Sequence, residues 1–354
     1  MALRVNIWQR SRLVLLFVLT IALLGLGFSP PAKAQAQGDL SLLGPALPTN
    51  FLGEDQSPNP TEINLGRELY YDKRLSKNQD ISCNSCHQLN HYGVDNRPVS
   101  PGHKGQLGAR NSPSVYNAAA HIAQFWDGRA ADVEEQALGP ILNPVEMAMP
   151  SQEAVLAVLN SIPEYVDAFK QAFPTESNPV TYANVGKAIG AFERGLVTPS
   201  PFDAYFAGDE SALTSQQQRG LSLFVENGCV ACHNGTYFGG NSYQKVGLVE
   251  PWPNQKDPGR YNVTEQAFDR MTFKVPSLRN VAETAPYFHD GSAKTLDEAV
   301  RRMAHYQLGK DLEPDQVEDI AAFLEALTGD LPADYIQPPT LPVSTAMTPE
   351  PDPT

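Results

Sequence analysis

Cysteine is scarce in this chain of 354 residues: there are four, and all of them lie in two short motifs. None is left over for the disulfide framework that four cysteines in an exported protein would ordinarily suggest. Basic residues are also few, 26 against 40 acidic for a net charge of -14, which argues against nucleic acid as a partner. Long hydrophobic runs are lacking as well. The one candidate, Leu13 to Phe28, is a mostly apolar stretch of 16 residues, short for a membrane span.

That stretch has a different grammar. Arg4, Arg10 and Arg12 precede it, and Ala32-Lys33-Ala34 follows it with an A-x-A pattern. The arrangement predicts a signal peptide over residues 1–34, with a retained anchor as the alternative. Export would place the protein in the periplasm or an equivalent oxidising lumen, with no membrane span after cleavage. Removing the segment moves the net charge from -14 to -18, a surface that attracts a donor presenting a basic patch. The hydrophobic content of 42% supports a real core, and the length allows two domains. Gly and Pro, 26 and 30 residues, predict much loop, as expected where a cofactor organises the fold.

The two cysteine motifs are Cys83-Asn84-Ser85-Cys86-His87 and Cys229-Val230-Ala231-Cys232-His233. Each is C-x-x-C-H, the haem c attachment pattern. Two thiols add to the two vinyl groups of one haem, and the adjacent histidine lies beneath the iron. A thioredoxin-like pair does not explain a histidine after both motifs. A structural zinc site draws its Cys and His pairs with other spacings. The motifs predict two covalent haems.

The surroundings repeat too. Gly66-Arg67-Glu68-Leu69-Tyr70 precedes the first motif and Gly220-Leu221-Ser222-Leu223-Phe224 the second; both predict a helix with a Gly-x-x-Leu-aromatic face towards the haem. Amphipathic helices are expected later, with Val185, Ile189, Phe192 and Leu196 on one face, then Val317, Ile320, Phe323, Leu324 and Leu327. The expected fold is mainly α, two tandem cytochrome c-like domains each built around one haem. A linker over residues 35–57 would precede an N-terminal domain at 58–202 and a C-terminal domain at 203–331, joined at Pro199-Ser200-Pro201. Residues 332–354 are rich in Pro and Thr without periodicity, so an extended or disordered tail is expected.

From about Pro58 to Gly329 the chain resembles the bacterial di-haem cytochrome c peroxidase family. The residues that carry the resemblance are Ala109-Arg110-Asn111-Ser112-Pro113, Phe125-Trp126-Asp127-Gly128-Arg129, Asn143-Pro144-Val145-Glu146-Met147, Val275-Pro276-Ser277-Leu278-Arg279-Asn280 and Ala285-Pro286-Tyr287-Phe288-His289-Asp290-Gly291. By that resemblance His103 matches the displaceable distal histidine of the N-terminal, peroxidatic haem. Gly102, Gly105 and Gly108 would give its loop freedom to swing; His121 is a second candidate. Glu146 matches the acid–base group, its structural alternative being a helix-start glutamate after Asn143-Pro144. Gln136 matches a supporting pocket residue.

The resemblance also implies Met303 as axial ligand of the C-terminal haem, which thioether ligation raises in potential. Met271 is the rival from composition, and Tyr306 a neighbour to consider because a methylamine-dehydrogenase-maturing relative uses tyrosine there. Trp126 fits the aromatic between the haems, and His289 the inter-domain histidine near a haem propionate. Asn111 with the carbonyls of Thr284 and Pro286 matches one calcium site. The implied activity is reduction of hydrogen peroxide with electrons from a cytochrome c or cupredoxin, in a protein that is often a homodimer. A di-haem electron carrier or redox sensor, and a peroxide-driven oxidase, are the alternatives.

Overall fold

The computed structural model describes residues 41–51 and 59–354. The expected signal peptide lies outside the described residues, as does part of the 35–57 linker. Among the described residues no helix is long and apolar enough to cross a membrane.

The chain is mainly helical, as expected. In the first half run α1 (Pro60–Tyr71), α2 (Cys83–Cys86), α3 (Val133–Leu142), α4 (Gln152–Asn160), α5 (Pro163–Ala172) and α6 (Tyr182–Glu193). In the second come α7 (Pro201–Phe206), α8 (Ser215–Glu226), α9 (Tyr261–Thr264), α10 (Leu296–Arg302) and α11 (Pro314–Glu325). Short strands β1 (Tyr243–Lys245) and β2 (Thr272–Lys274) pair antiparallel, with Tyr243 opposite Lys274.

Helix starts follow local chemistry. Asn59 Oδ1 accepts from the N–H groups of Thr61 and Glu62 at 3.1 and 3.4 Å, and Pro60 occupies the first turn, where no donor is needed. Before α8, Thr214 and Gln217 cap each other reciprocally.

The repeated glycines have a packing role that their spacing did not reveal. A Cβ on Gly66 would lie 1.8 Å from the Ala188 carbonyl oxygen, and one on Gly220 the same 1.8 Å from that of Asp319. Each glycine therefore sits where the helix before a C-x-x-C-H motif crosses the closing helix backbone to backbone. The aromatic of each face packs on that same partner, Tyr70 on Phe192 and Phe224 on Phe323, both with centroids 5.4 Å apart. So α1 crosses α6 and α8 crosses α11 by one device used twice. Val185, Ile189, Phe192 and Leu196 are fully buried, as are Val317, Phe323 and Leu327.

The Pro-rich tail is extended, but it is not loose. It leaves α11 and runs over the helices of the first half. Tyr71 donates its hydroxyl to the Ile336 carbonyl at 2.6 Å, Arg74 Nη1 reaches the Pro342 carbonyl at 2.8 Å, and Gln79 Nε2 the Pro349 carbonyl at 2.7 Å. Tyr335 stacks on Phe192 at 5.1 Å. These partners, hidden from sequence reading by their separation, are why absent periodicity did not mean absent structure.

Candidate functional site: two C-x-x-C-H centres

Each motif lies on a short helical turn that points its histidine into the protein. His87 Nδ1 faces the carbonyls of Gly93 and Pro113 at 3.3 and 3.0 Å, and His233 Nδ1 faces that of Phe238 at 3.2 Å. A carbonyl opposite Nδ1 fixes the proton there and leaves Nε2 as a lone-pair donor. Burial lowers the pKa of both imidazoles and so favours the neutral, ligating form. The cysteines go the other way. Burial pushes Cys83 up to about 12, and Cys86 and Cys229 to about 11. A site that disfavours thiolate suits thioether attachment and not a thiolate-bound metal.

Around the first motif the structure gathers the residues singled out by the family pattern. His103 is 5% exposed. Its backbone N–H donates to the Glu146 carbonyl at 2.8 Å. The Glu146 carboxylate is near enough to Cys86 to raise that thiol. Burial raises the Glu146 carboxyl itself, against the lowering effects of Arg129 and of a hydrogen bond from Asn143. Glu146 does not begin a helix: α3 ends at Leu142 and α4 starts at Gln152, so the intervening residues form a turn closed by Asn143, which accepts from the Glu146 and Ala148 N–H groups at 3.0 and 2.9 Å. Gln136 lies on α3 upstream of this turn, half-buried.

The glycines near His103 differ from one another. A Cβ on Gly102 would lie 2.0 Å from the Val145 carbonyl, so Gly102 presses the loop against the Glu146 turn and does not free it. Gly105, at φ +72° with open space around it, is the flexible point. His121 is elsewhere, with Nδ1 3.2 Å from Lys274 Nζ and its ring edge-on to Tyr237.

The second motif opens on a cavity of about 280 Å³ that is lined by Cys229, Cys232, His233 and Met303. Met303 follows α10 in a π-turn over Met303–Gln307. Met271 and Tyr306 belong to a cluster with Trp252 and Phe273 that Met303 also packs against, but neither of the two lines the cavity. Trp126, His289, Asn111, Thr284 and Pro286 line the same cavity. There Trp126 Nε1 donates to the Asn111 carbonyl at 2.9 Å, and the Asn111 N–H to the His289 carbonyl at 2.8 Å. Asn111 Nδ2 is spent on the Arg97 carbonyl at 2.9 Å, which leaves Oδ1 as a hard oxygen donor. His289 stacks on Phe273 at 4.2 Å, and its buried Nε2 has no hydrogen-bond partner among the described residues. A buried N–H without an acceptor, in a cavity walled by a C-x-x-C-H motif, fits a ring bearing carboxylates. The residues present therefore suit haem c at both motifs.

Sequence reasoning missed Lys274 and Arg110. Lys274 lines the same cavity. Arg110 bridges Asp127 and Asp257 at 2.6 Å each, which joins the halves beside Trp126. The available signal was a basic residue within one family motif, Arg110, and another next to the start of a second, Lys274.

Known proteins give the same picture over the same stretches. The family model described as di-haem cytochrome c peroxidase matches residues 60–211, and that for cytochrome c matches residues 217–328. Cytochrome c551 peroxidase of Pseudomonas aeruginosa is 48% identical over 345 residues, covering 94% of this chain and 98% of that one. The protein of the same name from Nitrosomonas europaea is 45% identical over 338 residues, covering 95% and 98%. Among solved structures, a MauG-like protein associated with microbial copper homeostasis aligns with a TM-score of 0.73 at 29% identity, over 84% of this chain and 98% of that one.

Proposed function

The chain belongs to the di-haem cytochrome c peroxidase family, and from that premise we propose that it reduces hydrogen peroxide to water with electrons from a small cytochrome c or cupredoxin after export. The observation that carries this reading is an asymmetry. The first motif has a buried histidine and a carboxylate tied together beside it, whereas the second shares its cavity with a methionine.

Haem at Cys83, Cys86 and His87 would supply the iron at which the O–O bond is broken. Peroxide takes two electrons and two protons to give two waters, and the protein must deliver both kinds of particle. Glu146 is suited to the protons: ionised, an Oε atom accepts one from the near oxygen and returns it to the far one, and its burial brings its pKa nearer the working pH. Gln136 supports that pocket by hydrogen bonding. His103 would be the side chain that blocks peroxide from that iron, and a turn about Gly105 would clear it.

Electrons enter through the second centre. A haem held there by Cys229, Cys232, His233 and Met303 would favour its reduced state, and Trp126, held between the halves by Asn111, would lie on the route inward. His289 would hold a haem propionate. Asn111 Oδ1 with the carbonyls of Thr284 and Pro286 would hold one calcium ion at the same junction. The segment 1–34 is the export signal, and a homodimer is the expected assembly.

The test uses holoenzyme matured with both haems. Peroxide-dependent oxidation of a reduced small cytochrome c should proceed with a ratio of two donors per peroxide. Permanently six-coordinate irons and no turnover would instead make the protein a di-haem electron carrier.

A further inference from the structure

Lys274 is a buried cation without a counter-charge among the described residues. It ends β2, where its backbone N–H donates to the Trp126 carbonyl at 2.8 Å. The residue is 8% exposed, yet its ammonium meets only His121 Nδ1, at 3.2 Å, and among the described residues it forms no ion pair. Arg279 shows what this protein does with a buried cation elsewhere: Asp203 grips it with two hydrogen bonds of 2.6 and 2.9 Å. An ammonium taken from water without a carboxylate is costly, and burial lowers the pKa of Lys274 to about 8.

His121 cannot neutralise that charge. Its Nδ1 accepts from the ammonium, so its one proton is on Nε2. Burial, then the Lys274 charge, holds the ring neutral. The Nε2 donor is itself buried and without a partner among the described residues. Lys274 and His121 thus bring a positive charge and an orphaned N–H to one wall of the cavity that carries Cys229, Cys232 and His233. What both lack is a negatively charged oxygen acceptor. A c-type haem bears two such groups, and only one has a partner in His289.

We propose that Lys274 and His121 clamp a propionate of the electron-entry haem, and that the Lys274 charge holds that haem's reduction potential up. By keeping its proton while one electron converts ferric to ferrous haem, Lys274 favours the state with one positive charge fewer. His121 is a positioning residue here: it aims the ammonium and adds the second hydrogen bond. This inference rests on a haem at the second motif and is independent of the roles given to His103 and Glu146.

Redox titration of holoenzyme, following each haem by its own spectrum, is the test. Lys274→Met should shift the C-terminal haem to lower potential and leave the N-terminal haem where it was. Lys274→Arg, which keeps the charge, should stay close to wild type. His121→Phe should move the propionate bending band in resonance Raman spectra and alter the potential less than Lys274→Met. Wild-type enzyme provides a measurement that does not depend on any variant maturing: its propionate band should shift on transfer to D2O. An unshifted band, or coincident titrations of Lys274→Met and wild type, would overturn the clamp. Peroxide binding at the first centre, followed in that haem's own spectrum, does not pass through the second haem, so its failure is separately visible.

Discussion

The backbone N–H of His103 donates to the Glu146 carbonyl at 2.8 Å, and the Cβ that Gly102 lacks would lie 2.0 Å from the carbonyl next to it. The proposed gate and the proposed acid–base group are thus anchored on one another. A loop that swings in the proposed way would pivot at Gly105, with its root fixed to the turn that holds the carboxylate.

This separates two variants. His103→Gly should give an open, high-spin N-terminal haem without prior reduction, and turnover should survive. Glu146→Gln should keep the ligation change yet lose proton transfer, with turnover falling about 10²–10⁴-fold. Stopped-flow spectra with peroxide check both. Wild-type turnover in Glu146→Gln would remove that residue from the chemistry.

Met303 shares a cavity with His233 that Met271 and Tyr306 do not line. Met303→His should lower the potential of the C-terminal haem and slow electron entry with both haems still attached, because the thioether that favours ferrous iron is gone. An unchanged potential in redox titration would return attention to the other two residues.

Glu193 on α6 is buried, and burial raises its carboxyl from the ordinary 4.5 to about 8, helped by Glu134 and opposed by Arg194. Folding favours its protonated form. The stability it allows is therefore fully present below pH 4.5 and is lost as pH rises towards about 8, at up to about 1.4 kcal/mol per pH unit. Glu193→Gln should flatten that part of the stability profile and leave the protein more stable above it. Thermal unfolding across pH is the measurement, and parallel profiles for the two proteins would show that Glu193 ionises freely.

Contiguous chemistry was legible in the sequence. C-x-x-C-H is local, so two haem motifs, a mainly helical chain and the family could be read directly. The amphipathic faces of α6 and α11 were legible because 3.6-residue periodicity is a property of one segment. Contacts between distant segments were not. The Gly220 crossing depends on Asp319, and the His121–Lys274 pair joins residues 153 apart. Gly102 and Gly105 look alike as letters and do opposite things, since only three dimensions show which one has a carbonyl against it.

The tail has a consequence for the order in which the molecule is completed. A ribosome releases the first C-x-x-C-H long before residues 335–354 exist, yet those residues supply partners to Tyr71, Arg74 and Gln79 and a stacking face to Phe192. The half of the protein that is made first is thus the half finished last. Until those residues arrive, Tyr71, Arg74, Gln79 and Phe192 lack the partners that they hold in the finished fold.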